Sequence, residues 1–293
     1  MKIGRCSWRG ATRLAIVDEQ AGEALLVDAE GLSANPVLDV IEGRVDARSL
    51  RIERRVPLRD VAFLSPLSAL VRNLLAVGKN YHEHALEFDK SGFNATGGSA
   101  SAIPSHPQIF TKATTSLSGP TDPIRFDPAQ SESIDYEGEI GVVIGKRCRG
   151  VSKADAMSKV FGFVLVNDVT ARDLQKNHAQ WFLGKSLDTF CPLGPWIATP
   201  DEVPMESLRI ATWVNGELRQ QASIAQLIFD IPTLIDTISR GTTLLPGDII
   251  ATGTPVGVGI GFSPPKFLRD GDVVRIAAPG LGELSNRVEA VRG

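Results

Sequence analysis

Cysteine, long apolar runs and clusters of positive charge are what this chain lacks, and each absence removes a class of function. Its three cysteines, Cys6, Cys148 and Cys191, are odd in number and far apart in 293 residues, which argues against a disulfide framework or a thiolate metal site. None has a neighbour that marks it as an activated nucleophile, so they read as small buried hydrophobes. No apolar run approaches the ~20 residues of a membrane span, and the start MKIGRCSWRG has no signal-peptide core. The expectation is a cytoplasmic protein with no membrane partner. Basic residues number 31 and acidic ones 34, spread along the chain for a formal net charge of −3. That balance gives no field of the kind phosphate backbones require, and no nucleic-acid partner is expected.

What is present is ordinary globular composition, 43% hydrophobic and 22% charged, enough for one large domain or a large and a small one. LAIVDEQAGEALLVD alternates two strand-like segments about a turn at Glu19 to Gly22, so residues 1–68 read as a small β-rich N-terminal domain. The arginine-rich stretch VIEGRVDARSLRIERRVPLRDVAFLSPL suits a solvated connector ending near Ser68. Residues 69–293 read as a second, larger unit. It is mainly β, with strands expected in EGEIGVVIG, VFGFVLVNDVT, LRIATWVNGEL, GDIIATGT and DVVRIAAPGLGELSNRV. Two helices are predicted: SKADAMSKVFG, capped by Ser152, and SIAQLIFDIPTLIDTISRG, running from Ser223 to a stop at Gly241. GTPVGVGIG lacks the Lys-Ser/Thr of a P-loop and reads as a backbone turn beside a site. The Gly, Ser and Ala-rich segment from Glu87 to Gln108 is expected to be a mobile lid, with a plain surface loop as the other reading.

Four segments carry candidate chemistry. In DYEGEIGVVIG, Glu137 and Glu139 are two apart on a predicted strand, so they share a face beside an apolar run. A hard divalent cation would neutralise them, with Asp168 at the end of the strand FGFVLVND as a third oxygen ligand. Standing alone, the pair could equally be two strand carboxylates answered by Arg or Lys. In GKNYHEHALEFD, His84 and Glu87 are three apart, one helical face, where the carboxylate could orient the imidazole as a general base. By itself an HEH run on a loop is more often a solvated surface feature or an adventitious metal site. Lys185 in WFLGKSLDTF is a cation in an apolar setting, either snorkelling or aimed into a pocket.

Taken in order, GKNYxxH, DYExE, NDxTARDxQ, GKSxDTxCPxGPW and ATGTPxGVG make the chain from about Leu74 onward resemble the fumarylacetoacetate hydrolase family. The resemblance implies a mixed β-sandwich roll, an N-terminal domain of variable form and a homodimer. It implies that Glu137, Glu139 and Asp168 hold Mg²⁺ or Mn²⁺, and that His84 and Glu87 are the water-activating pair. Of the two neighbouring histidines, His84 is the better match and His82 the departure. Lys185 matches the active-site lysine, and Arg172, Gln175 and Thr254 match positions near the substrate. The implied reaction is cleavage of a carbon-carbon bond in an acylpyruvate or related β-diketo acid. Oxaloacetate-type decarboxylation and keto-enol isomerisation use the same chemistry and remain open, with a non-catalytic binding protein as the third reading.

Overall fold

A computed structural model describes residues 1–28, 30–93 and 102–291. The chain opens on β1 (Lys2–Trp8), β2 (Ala11–Asp18) and β3 (Glu23–Val27), then α1 (Pro36–Ile41), β4 (Ile52–Pro57) and β5 (Ala62–Leu64). Next come β6 (Leu74–Gly78), α2 (His82–Lys90), β7 (Gln108–Lys112), β8 (Leu117–Ser118) and β9 (Ile124–Phe126). The central stretch holds β10 (Ile134–Asp135), β11 (Gly138–Ile144), α3 (Lys153–Ala156), β12 (Val160–Asn167) and β13 (Thr170–Ala171). It continues through α4 (Arg172–Asn177), α5 (Phe182–Lys185) and β14 (Cys191–Ala198). The chain finishes with β15 (Arg209–Val214), β16 (Glu217–Ser223), α6 (Ile231–Ser239), β17 (Ile249–Ala251), β18 (Val273–Ala278) and β19 (Gly282–Ala290). The fold is mainly β.

Twelve of these strands share one sheet, whose main path runs β4-β3-β2-β1-β14-β12-β11-β17-β6-β7. A second sheet, β16-β15-β18-β19-β9, has five strands. The N-terminal hairpins join the larger sheet through β1, which pairs antiparallel with β14 at Lys2↔Ala198 and Ile3↔Ile197. β11 is buried at every position and β12 at all but its first two, as near-continuous apolar runs between two covered faces should be. Residues of β11 and β12 divide between two apolar clusters, Ile140, Val142 and Phe163 in one and Val143, Val164 and Val166 in the other. Among the described residues no helix is long and apolar enough to cross a membrane.

Local expectations fail at two places for physical reasons. The predicted helix from Ser223 to Gly241 is split: Ser223 and Gln226 form a capping box on a single 3-10 turn, and α6 begins only after the new cap Asp230. Pro232 in the first turn explains the start, since proline fits there and nowhere further inside. The arginine-rich connector contains β4, an edge strand with exposed Glu53, Arg54 and Arg55 in a row, charges that suit a sheet edge. Of the expected lid, the part to Lys90 is the end of α2 and Gln108 begins β7; its residues 94–101 lie outside those described.

Candidate metal centre and active site

The acidic cluster is built by strand pairing. β11 and β12 run antiparallel with Gly138 opposite Asn167 and Glu139 opposite Val166, so the first residues of one strand meet the last of the other. The Asp168 amide donates to the Glu137 carbonyl at 2.8 Å and the Glu137 amide to Asn167 Oδ1 at 3.1 Å. Carboxylate oxygens of Glu137, Glu139 and Asp168 thereby lie within 4.8 Å of one another, all buried.

Three buried cations answer this charge. Lys185 Nζ, at the end of α5, reaches Glu137 Oε2 at 2.7 Å and Asp168 Oδ2 at 2.8 Å. Arg172 sits 2.9 Å from Asp135 Oδ2 and 2.7 Å from Glu137 Oε1, and donates to Gln175 Oε1 at 3.1 Å. Lys112 Nζ, at the end of β7, donates to Asp168 Oδ1 at 2.6 Å, to the Val169 carbonyl at 3.0 Å and to the carbonyl of Lys185. The four carboxylates, Asp135 included, thus exceed the three cations by one charge. Burial alone would raise Glu137, but Lys185, Arg172 and His84 outweigh it and hold its carboxyl at about 2. Glu139 goes the other way. Burial, then the neighbouring Asp168 and Glu137, push it well above the ordinary carboxylate range, although the Gly253 amide donates to its Oε2 at 2.7 Å. Burial works against the Lys185 ammonium, but Asp168 and Glu137 overcome it and raise its pKa, so it remains charged.

Buried carboxylates that outnumber their cations and push Glu139 toward its protonated form make a donor set short of positive charge. Three oxygen donors this close fit a divalent cation, which takes carboxylate ligands and brings the missing charge.

His84 faces this cluster from α2, buried to 4% exposure, whereas His82 is exposed. Its Nδ1 lies 3.1 Å from Glu87 Oε2, and Glu87 Oε1 accepts from the Gly257 amide at 3.0 Å. A side chain on Gly261 would collide with the Glu87 carboxylate. The glycine-rich stretch therefore wraps Glu87 on the side away from His84. Thr254 Oγ1 donates to the Gly138 carbonyl at 3.1 Å and accepts from Gln220 Nε2 at 2.7 Å, fixing the loop over the start of β11. His84, Glu137, Glu139, Arg172, Gln175, Lys185 and Thr254 all line one small chamber. Glu87 stands behind His84 and Asp168 beneath Lys112 and Lys185.

The structure adds Lys112 and Asp135, which the sequence reading passed over. Lys112 carries the sign that singled out Lys185, a lysine closing an apolar stretch, here IFTK. Asp135 opens the DYExE motif, but no role could be read for it there because its partner Arg172 is 37 residues away.

The family described as fumarylacetoacetate (FAA) hydrolase C-terminal matches residues 73–289. The chain belongs to the fumarylacetoacetate hydrolase family. Among relatives within it, oxaloacetate tautomerase YisK of Bacillus subtilis (strain 168) is 43% identical, over 93% of this chain and 92% of its own. Fumarylacetoacetate hydrolase (EaFAH) from psychrophilic Exiguobacterium antarcticum superposes with a TM-score of 0.83 at 40% identity, over 99% of this chain and 100% of its own. Maleylpyruvate hydrolase from Sphingobium sp. SYK-6, solved in complex with manganese(II) ion and pyruvate, gives 0.76 at 32% identity over 100% of both chains. Fumarylacetoacetate hydrolase family members with these names are enzymes, and they divide between hydrolysis and isomerisation.

Proposed function

We propose that this protein is a divalent-metal-dependent enzyme that interconverts the keto and enol forms of a small 2-keto diacid of the oxaloacetate type. The observation that carries the reading is the buried His84–Glu87 pair facing the three-carboxylate cluster across one small chamber. The similarity to the tautomerase, spread over nearly the whole of both chains, points the same way.

With Glu87 accepting from Nδ1, His84 presents its other ring nitrogen to the chamber as a base. That nitrogen takes a proton from the carbon next to the keto group, and the electron pair moves onto the keto oxygen. When bound, Mg²⁺ or Mn²⁺ at Glu137, Glu139 and Asp168 supplies Lewis acidity toward that oxygen and the adjoining carboxylate. Lys185, kept as an ammonium by its carboxylate neighbours, adds a fixed positive charge. His84 returns its proton to the oxygen, which completes the enol; the reverse path regenerates the ketone. Arg172 and Gln175 hold Glu137 and the floor of the chamber in place.

Cleavage of an acylpyruvate is the second reading, favoured by the same pair, since an imidazole oriented by a carboxylate can take a proton from water as well as from carbon. One assay separates the two. Protein stripped with a chelator and reloaded with Mg²⁺ or Mn²⁺ should speed ketonisation of enol-oxaloacetate above the solvent rate, and the stripped protein should not. If the loaded protein cleaves acylpyruvates while leaving the keto-enol rate unchanged, hydrolysis takes the place of tautomerisation.

A further inference from the structure

Besides Arg172 and Lys185, the chamber has a third cation. Lys79 lines it, 7% exposed, but its charge is answered from elsewhere: the carboxylate that acts on it is Asp89, on the exposed flank of α2. Arg172 and Lys185 are instead committed to the acidic cluster.

Where Lys79 points is fixed by an aromatic wall. Its Nζ stands 5.1 Å from the centre of the Phe88 ring. Phe88 meets Trp181 edge-on at 5.9 Å, and Trp181 meets Phe110 edge-on at 5.2 Å. At the other end Lys185 Nζ lies 5.0 Å over Phe110. Two ammonium groups thus bracket three contiguous rings, and only the Lys185 end carries the metal-binding carboxylates.

The backbone at Lys79 is also unusual. Its φ is +54°, in the left-handed region that a long side chain enters at a cost of roughly 1 kcal/mol. The turn is held there from both sides. Gly78 packs against Trp181 so closely that a side chain would collide with the indole. Asn80 is clasped by Phe229 and Thr252, donating to their carbonyls at 3.0 and 2.7 Å and accepting from the Phe229 amide at 2.8 Å. A strained non-glycine residue whose side chain is thereby directed along a chamber wall is the kind of outlier that accompanies ligand recognition.

We propose that Lys79 is the specificity-determining residue for the far end of the substrate: it pairs with a second carboxylate, so the site selects 2-keto diacids over 2-keto monoacids. This rests on the keto-acid reading of the site, with the substrate's head at the cluster and its tail along the Phe88–Trp181–Phe110 wall. Burial lowers the pKa of the Lys79 ammonium, and an incoming carboxylate would restore it.

The test reads binding rather than turnover. Mg²⁺-loaded wild type, Lys79→Met and Lys79→Gly are titrated calorimetrically with pyruvate and oxalate, which have no tail carboxylate. They are also titrated with 3,3-difluorooxaloacetate, which has one and cannot enolise. Lys79→Met keeps the stem over Phe88, and Lys79→Gly adopts a positive φ without strain, so a fold defect in one is controlled by the other. Both variants should bind difluorooxaloacetate about 10- to 100-fold more weakly than wild type, the range for losing a charged hydrogen bond, with pyruvate and oxalate within about twofold. Equal losses for all three ligands, or none, would overturn the assignment. Wild type that binds all three without preferring the diacid would sink this inference and leave the proposed function standing; wild type that binds none would remove both.

Discussion

Adding the metal should expel a proton, and the source is Glu139. In the metal-free cluster this carboxyl sits beside Asp168 and Glu137 in a fully buried pocket, which raises its pKa well above the ordinary range. A carboxylate must be deprotonated to ligate a cation. On the acid side of the raised pKa, each metal bound therefore releases about one proton, and apparent affinity climbs about tenfold per pH unit. Beyond that pKa the slope vanishes, so the break in a plot of log affinity against pH locates it. Glu137, already ionised down to about 2, adds no slope in this region. Titrating Mg²⁺ or Mn²⁺ calorimetrically from pH 5 upward, in two buffers of different ionisation heat, gives both slope and proton count. Stability of the metal-free protein should move in the opposite sense. The folded state keeps a proton that the unfolded chain gives up in the ordinary carboxylate range, so Glu139's contribution falls as pH rises from there to the raised pKa, by about 1.4 kcal/mol per unit. A pH-independent affinity with no proton released at pH 5 would refute the electrostatic account of the cluster.

Two substitutions probe the remaining machinery. His84→Ala should lower turnover by ~10²-fold or more with metal affinity nearly unchanged, while His82→Ala, at an exposed position, should stay within about twofold in kcat/KM; the reverse pattern would move the base to His82. Lys112→Met leaves Asp168 Oδ1 and two carbonyls without their buried donor, and breaking one side of such a pair costs about 3–5 kcal/mol. Urea unfolding in chelator should show that loss, partly recovered by excess Mg²⁺; a change under about 1 kcal/mol would mean that Lys112 carries little of the cluster's charge.

Much of this site is legible in the chain because its chemistry is local. Glu137 and Glu139 share a face by strand periodicity, Asp168 ends an apolar strand, and His84 and Glu87 meet across one helical turn. The strands around them were equally plain, since apolar runs bounded by Gly, Pro and Asp leave little choice. What local pattern could not supply is pairing at a distance: Asp135 with Arg172, Lys112 with Asp168, Gly257 with Glu87 across 170 residues. β4 was hidden for a different reason, because three exposed charged residues in succession erase the alternation that marks a strand. The split at Asp230 shows proline chemistry overriding an apolar helical period that continued on both sides of it.

The glycine-rich stretch that wraps Glu87 makes the order of synthesis matter. The histidine and its carboxylate lie in the first third of the chain, the acidic cluster is complete by Asp168 and Lys185 soon follows, but the backbone that seats Glu87 comes from Gly257 and Gly261. A chain emerging from the ribosome thus has His84, the three carboxylates and Lys185 well before it has the backbone that seats Glu87. Only when the last fifth has threaded back past α2 do the amide of Gly257 and the bare Cα of Gly261 close around that carboxylate. Until then a nascent chain that has already made its carboxylates has no seat for Glu87.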